Sequence, residues 1–275
     1  IKAEVDRPAV SATRVDDDTK WPPFSYTDDE AGQTLDITGL NERICAMVDT
    51  LESGVVDLTP VPVQPSVTRA QLEAQIVKLS SFETTVGKTG DYVESRTENI
   101  RVGTERFNRL TVAPGKSVSF NKVALKRTAA NGYQAALEIA YGNYVEGIGG
   151  GICQTSSTLY LACLLSNLEI TERYAHRYVP AYIAWGMDAT VSWGGPDYKF
   201  TNNTLYPVKI VTKYEKGYLT VQILGTNVDG TYVKMSNEVL SKTPWETIYQ
   251  EDPTMAPGSP DVVKVTPYTG YKVNS

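Results

Sequence analysis

The chain has 275 residues, an apolar content of 41% and a net charge of −6 at pH 7, which fits one large domain with a satellite or two ordinary domains. No apolar run reaches the ~18 residues that cross a bilayer, and no basic stripe marks a nucleic-acid surface. Three cysteines and one histidine, without a C-x-x-C spacing, argue against a disulfide framework and a zinc site.

The first 37 residues predict short strands and turns, because they combine Asp, Thr and Pro with scattered aromatic residues. A helix follows, with Asn41 as its cap. Its apolar positions form one face at helical spacing: Ile44, Met47, Val48 and Leu51. Cys45 lies beside that face, so we expect it to be a core residue.

Residues 59–65 read TPVPVQP and predict an extended segment at a domain boundary, because prolines at this density exclude a helix. A capping-box pattern at Thr68 then predicts a helix. Its apolar stripe is expected to comprise Leu72, Ile76 and Leu79. A second helix is predicted over residues 94–107 and a short strand over 117–120.

Residues 149–160 read GGGICQTSSTLY, and they predict a glycine turn that leads into a helix from about 153 to 165. Cys163 falls on the apolar repeat of this helix, so we expect it in the core.

The remaining chain predicts strands followed by a tail. Residues 189–193 alternate like a strand, and residues 206–214 and 218–224 predict a hairpin. Beyond Gly225 the sequence is polar and rich in proline, so we expect a tail or linker with little core of its own.

The first turn of a helix is a place where a thiol becomes reactive. Free N–H groups and the helix dipole there favour the thiolate of Cys153, whose ordinary pKa is about 8.5. His176 is the single histidine and therefore the only imidazole base. The glycine triplet would let backbone amides converge on an oxyanion; its members are Gly149, Gly150 and Gly151.

A third group usually orients the histidine of such a pair. Asp188 and Asp197 are the candidates, and Asp188 is favoured because it lies just before a predicted strand. Polar side chains in the first turns of the cysteine helix either bind substrate or cap and pack the helix, and both interpretations stay open; these residues are Gln154, Ser156 and Ser157.

In order along the chain, several motifs resemble the VanW family: GGGICQTSSTLY at 149–160, LEI at 168–170, DATV at 188–191 and NNT at 202–204. The similarity covers roughly residues 95–225. Residues 1–68 resemble the peptidoglycan-binding module that often precedes VanW domains, and residues 226–275 resemble a connector to further surface modules. Many relatives have Ser where this chain has Arg177, which affects the local charge beside His176.

The resemblance implies an L,D-transpeptidase of peptidoglycan with Cys153 as nucleophile and His176 as base. The expected fold is α+β, with a cysteine-bearing helix packed on an antiparallel sheet, preceded by a smaller N-terminal α+β module. We expect domains at 1–68, 69–225 and 226–275. There are two alternatives: a non-catalytic peptidoglycan-binding cell-surface protein, and a cysteine peptidase or carboxypeptidase that trims stem peptides.

Partners and location follow from that substrate. We expect peptidoglycan stem peptides as partners, no nucleic acid, no metal and no cofactor. The expected location is extracellular, at the cell surface or wall, with membrane contact only through an N-terminal transmembrane anchor outside this sequence.

Overall fold

The computed structural model describes residues 2–17, 19–20, 22–87, 93–140, 143–227, 230–263 and 269–275. The chain divides into two compact units, Ile1–Ile76 and Val77–Ser275. Among the described helices, none combines the length and the apolar character needed to span a bilayer.

The first unit consists of short elements; the strands predicted for residues 1–37 are present, but a one-turn helix that was not predicted precedes them. Two antiparallel pairs form in it, β1 with β2 and β3 with β4. The elements are α1 Lys2–Val5, β1 Arg14–Asp16, β2 Phe24–Tyr26, β3 Gly32–Leu35, α2 Ile37–Asp49, β4 Pro60–Val63 and α3 Arg69–Gln75.

Two helix caps in this unit follow from local side-chain chemistry. Thr68 caps α3, and its side chain and that of Gln71 form both bonds of the predicted capping box. Helix α2 begins earlier than predicted, because the carboxylate of Asp36 accepts the N–H of Gly39 and serves as its cap in place of Asn41.

The prediction that Cys45 is a core residue is wrong. Cys45 is exposed, and α2 has no buried residue. Its apolar face is solvent-facing too, since Val48 is 65% exposed and Leu51 92% exposed. A helical repeat predicts which residues share a face, but it does not ensure that another element covers that face.

The second unit carries the larger sheets and the cysteine helix. Its sheets have the strand orders β5-β13-β12-β6 and β10-β11-β7, with hairpins β8-β9 and β14-β15. The elements are β5 Ile76–Thr85, α4 Val93–Phe107, β6 Thr111–Val112, β7 Ser117–Ser119, α5 Phe120–Ala124, β8 Ala135–Ala140, β9 Asn143–Ile148, α6 Ile152–Leu165, β10 Glu169–Glu172, β11 Lys199–Thr201, β12 Val208–Glu215, β13 Tyr218–Thr226, β14 Glu238–Thr243 and β15 Gly270–Asn274.

Helix α6 is buried along most of its length, and it packs on the four-stranded sheet and on α4. Thr158 of α6 and Thr84 of β5 share a 2.9 Å hydroxyl contact. A Cβ added at Gly103 of α4 would lie 2.2 Å from Ile152, so this glycine permits the close approach of the two helices. Cys163 is fully buried, as predicted.

The hairpin of β12 and β13 confirms its sequence prediction. Glu215 pairs with Tyr218 across a two-residue turn. Lys216 and Gly217 in that turn have positive φ angles of 52° and 87°, which is typical of the turn type whose twist matches antiparallel strands.

Three other sequence predictions need correction. The helix at Thr68 ends at Gln75, and Ile76 and Leu79 belong to β5, where β-branched and Ser/Thr residues favour an extended chain. Residues 189–193 are not a strand. Their backbone groups make isolated hydrogen bonds and do not form a ladder with a neighbouring strand. The N–H of Thr190, for example, donates to the carbonyl of Tyr174.

The segment beyond Gly225 also differs from a plain tail, because β14 and β15 pair within it. The ring of Tyr271 in β15 packs at a tilt against the ring of Trp185, with 4.0 Å between the two centroids. None of the described residues after 225 is buried, in agreement with the expected small core.

The α+β class is confirmed, with a cysteine-bearing helix on an antiparallel sheet and a smaller α+β unit before it. The second unit includes both the predicted 69–225 domain, apart from its first residues, and the C-terminal segment. The identities assigned to the three predicted domains stay predictions.

Candidate active site

Cys153 lies in the first turn of α6, immediately after the glycine triplet. Gly149 and Gly151 have φ angles of 97° and 103°, a left-handed conformation that side chains rarely tolerate. They turn the chain sharply from β9 into the helix, whose cap residue is Gly151. The result is a half-buried cysteine whose thiol lies at the positive end of a helix.

Two groups of the 187–192 segment contact the sulfur of Cys153. The thiol donates to the carbonyl oxygen of Val191 at 3.5 Å, and the sulfur lies 3.8 Å from the hydroxyl of Thr190. The extended segment predicted as a strand therefore forms one wall of the thiol site.

His176 is oriented by Asp188. The ring nitrogen Nδ1 lies 2.6 Å from Oδ2 of Asp188, and the backbone N–H of His176 donates to the same oxygen at 2.5 Å. Both side chains are largely buried, at 19% and 5% exposure. Because Nδ1 is held by the carboxylate, Nε2 is the ring nitrogen that remains for the thiol.

Arg173 fixes the backbone that carries Asp188. Its Nε donates to the carbonyl of Asp188 at 2.6 Å, and one terminal nitrogen donates to the carbonyl of Gly186 at 2.7 Å. The same nitrogen lies 3.4 Å from Oδ1 of Asp188. Sequence reasoning did not assign Arg173 a role, because nothing in its spacing indicates these backbone acceptors.

The two titrating groups of the site shift each other's pKa. Burial acts to raise the pKa of Cys153, but the hydrogen bond and the charge of His176 outweigh it, so the pKa lies below its ordinary value. Burial acts to lower the pKa of His176, while its hydrogen bonds to Asp188 and Cys153 raise the pKa to about 9. His176 is therefore protonated at neutral pH, and its positive charge favours the thiolate form of Cys153.

Asp197, the other candidate from the sequence, and Glu172, which lies near His176 in the chain, have different partners. Asp197 accepts the N–H groups of Asn121 and Tyr198 and the hydroxyl of Ser119, so it holds the turn in which it lies. Glu172 pairs with Lys199 at 2.6 Å. Of the carboxylates considered, Asp188 is the one that meets His176.

The polar residues after Cys153 are buried, and their described contacts are those of packing. Gln154 donates to Thr84 and Thr85 and accepts from Arg96. The hydroxyls of Ser156 and Ser157 donate to the carbonyl of Cys153 and reach the backbone of Ala189. The two serines join α6 to the segment that presents Asp188, and their side chains are fully buried. A substrate-binding role for these polar residues stays a prediction.

The amides of the glycine loop are only partly free for an oxyanion. The N–H of Gly149 donates to Gln134, and that of Ile152 donates to the carbonyl of Gly149. The carbonyl of Gly150 accepts from the side chain of Asn99 at 3.0 Å, which ties the loop to α4. The loop is thus a fixed turn and not a flexible one.

The segment of the chain that resembles known proteins contains the residues of this site. The family described as VanW like protein matches residues 95–224, which include Cys153, His176 and Asp188. No solved structure shows a significant match to the chain.

Two curated proteins are similar over parts of the chain. The uncharacterized protein YoaR of Bacillus subtilis is 37% identical over 153 residues, 56% of this chain and 50% of that protein. The Vancomycin B-type resistance protein VanW of Enterococcus faecalis is 30% identical over 118 residues, 41% of this chain and 43% of that protein. The chain spans about half the length of the curated relatives that it matches. Residues 95–224 of this chain are therefore identified as a VanW-like domain.

Proposed function

We propose that the VanW domain of this chain is a cysteine acyltransferase, an L,D-transpeptidase that forms 3-3 cross-links between peptidoglycan stem peptides. The observation that carries the proposal is the half-buried Cys153 thiol beside an imidazole whose Nδ1 is bound by buried Asp188. A relative named for vancomycin resistance supports a role at the cell wall.

The first half-reaction consumes the thiolate. The sulfur of Cys153 attacks the carbonyl carbon of the amide between the diamino acid and the terminal D-Ala of a donor stem, and a C–S bond forms. The C–N bond then breaks, and the His176 imidazolium gives its proton to the nitrogen of departing D-Ala. A thioester and a neutral imidazole remain.

The second half-reaction restores the starting state. The side-chain amine of an acceptor stem attacks the thioester and passes a proton to His176. The C–S bond breaks, the thiolate returns, and an amide joins the two diamino acids. Asp188 keeps the imidazole in one orientation through both steps.

The negative oxygen of each tetrahedral intermediate needs donors. The amides of Gly149 and Ile152 already have acceptors in the loop. We assign the role to the N–H of Cys153, because the first-turn amides of a helix lack intrahelical partners and carry the positive end of its dipole.

The setting of the enzyme is part of the same proposal. A peptidoglycan substrate implies an extracellular site at the cell surface, with an N-terminal transmembrane anchor outside this sequence. The unit Ile1–Ile76 would then act as the peptidoglycan-binding module. The proposed function involves no nucleic-acid partner.

The test is incubation with a purified disaccharide-tetrapeptide, followed by mass analysis of the muropeptides. We expect wild type to release D-Ala and to form 3-3 dimers, and we expect Cys153→Ala to lose at least about 1000-fold in rate while it remains folded. Cys45→Ala is the matched control, since Cys45 is an exposed thiol of the first unit.

Each outcome has a distinct meaning. Dimers from Cys153→Ala at the wild-type rate would refute the thiol as nucleophile. Cys153-dependent release of D-Ala without dimers would identify the trimming carboxypeptidase instead. Binding to peptidoglycan without any turnover would favour the non-catalytic surface protein.

A further inference from the structure

A half-buried arginine near the thiol has no described carboxylate to pair with. Arg127 donates from one terminal nitrogen to the carbonyl of Leu125 at 2.9 Å and from the other to Oδ1 of Asn121 at 2.7 Å. Both acceptors are neutral. The ion pairs found among the described residues do not include Arg127, and its guanidinium carbon lies 5.7 Å from the ring centroid of Phe120.

The stem of Arg127 packs directly on the loop that leads to Cys153. A Cβ added at Gly149 would lie 2.5 Å from Cγ of Arg127 and 2.8 Å from its Cβ. The carbonyl of Gly149 accepts the N–H of Ile152 at the start of α6. The position of Arg127 is therefore coupled to the position of the turn that precedes Cys153.

Asn121 ties the guanidinium to the opposite wall of the thiol site. Its Nδ2 donates to the carbonyls of Ser192 and Pro196, at 3.0 and 3.1 Å. Ser192 directly follows Val191, whose carbonyl accepts the Cys153 thiol. Arg127 is thus held between the two chain segments that enclose the sulfur.

Burial disfavours the positive charge of Arg127. Burial lowers the pKa of Arg127, which measures the penalty of keeping its charge out of water. Asp197 and the thiolate of Cys153 offset part of that penalty through space. The carboxylate of Asp197, however, is bound to Ser119, Asn121 and Tyr198. An external anion would complete the site.

We propose that Arg127 binds a carboxylate of the substrate that reacts with Cys153. The identity of this carboxylate rests on the proposed function: it is the free C terminus of the donor stem, which belongs to the D-residue that leaves. Arg127 would then select peptides whose scissile amide is the last one of the chain, because an internal amide has no carboxylate beside it.

The closing experiment compares two alkylating reagents, iodoacetate and iodoacetamide. Each reacts by the same step, in which the thiolate displaces iodide and a C–S bond forms, but only iodoacetate brings a carboxylate. The ratio of the two rates at Cys153 is independent of the thiolate fraction. Exposed Cys45 supplies the intrinsic ratio within the same chain, and peptide mass spectrometry resolves the two sites.

We expect the iodoacetate-to-iodoacetamide ratio at Cys153 to exceed that at Cys45 by about 10-fold or more. Arg127→Gln should lower the ratio at Cys153 by about 10-fold, whereas the charge of His176 and the positive end of α6 are the same in both proteins. Arg106→Gln, which removes the same charge from an exposed arginine of α4, should keep the wild-type ratio. Equal ratios at Cys153 and Cys45 in wild type overturn the inference without any variant, and so does an unchanged ratio in Arg127→Gln.

A substrate pair separates this inference from the proposed function. The disaccharide-tetrapeptide is compared with its C-terminal amide, and we expect the free acid to react about 10- to 100-fold faster in kcat/KM. If neither substrate gives a Cys153-dependent product, the proposed function is refuted. The alkylation ratio still tests the role of Arg127 in that case. Equal rates for both substrates in wild type refute the carboxylate selection and leave the transferase intact.

Discussion

Asp188 controls the protonation of the candidate site through a single oxygen, since Oδ2 accepts from both Nδ1 and the backbone N–H of His176. Burial acts to raise the pKa of Asp188, but these hydrogen bonds and the charges of His176 and Arg173 lower it below its ordinary value. The carboxylate therefore stays charged at neutral pH and keeps the imidazolium protonated, which in turn stabilises the thiolate of Cys153.

Asp188→Asn should weaken this chain of charges. The pKa of His176 should fall from about 9 towards its ordinary value, because the variant removes a negative partner. The pKa of Cys153 should rise, because the imidazolium that lowers it is lost at neutral pH. We expect turnover at pH 7 to fall by about 100-fold or more.

Two pH profiles check this prediction. In wild type, alkylation of Cys153 should persist at pH values below 8.5, where ordinary thiols lose it, whereas turnover should also fall above about pH 9 as His176 loses its proton. In Asp188→Asn, the midpoint of Cys153 alkylation should move to higher pH. The alkaline fall in turnover should begin at lower pH. Glu172→Gln, which breaks the ion pair with Lys199, is the control; unmoved profiles in Asp188→Asn would refute the coupling.

At the scale of single elements, the features that the sequence predicted well are those with a local cause. The capping box at Thr68, the glycine turn before α6 and the hairpin turn at Lys216 each depend on a few neighbouring residues. The end of α3 at Gln75 and the irregular, non-strand conformation of residues 189–193 depend on partners far along the chain. A repeat of apolar residues carries no information about such partners.

Gly150 shows how closely one element is packed against another. A Cβ at this position would lie 2.6 Å from the carbonyl oxygen of Leu137 and 2.9 Å from the backbone of Ala136, both in β8. Backbone cannot move away as a flexible side chain can. Gly150→Ala should therefore destabilise the fold by about 1–3 kcal/mol and displace the turn that positions Cys153.

Thermal unfolding and the alkylation rate of Cys153 measure the two effects of Gly150→Ala. Gly87→Ala is the control, because a Cβ at that exposed glycine meets no atom within 4 Å. The loop is less constrained than the structure indicates if both variants unfold and alkylate like wild type.

Across the whole molecule, the site could be anticipated only where composition left few choices. A chain with one histidine offers one imidazole base, so pairing Cys153 with His176 followed from elimination and from the family resemblance. Arg173 and Arg127 were not assigned, because their short hydrogen bonds are to backbone carbonyls and to Asn121, which no spacing rule identifies. Arginines that bind neutral acceptors look like ordinary surface residues in a sequence.

The division after Ile76 leads to a prediction for the whole chain. Every described group that contacts Cys153, His176 or Asp188 belongs to the second unit, as do Arg127 and its partners. We therefore expect Val77–Ser275 to fold by itself and to keep the wild-type alkylation rate and pH midpoint at Cys153.

Cross-linking of intact peptidoglycan should respond differently from alkylation when the first unit is removed. If Ile1–Ile76 binds peptidoglycan, its loss should lower turnover on sacculi and leave turnover on a soluble disaccharide-tetrapeptide unchanged, because only the polymer offers a second binding site. The two substrates, assayed with the whole chain and with Val77–Ser275, form the measurement. Equal loss on both would assign the first unit to the stability of the catalytic unit, and no loss on either would remove its role in binding.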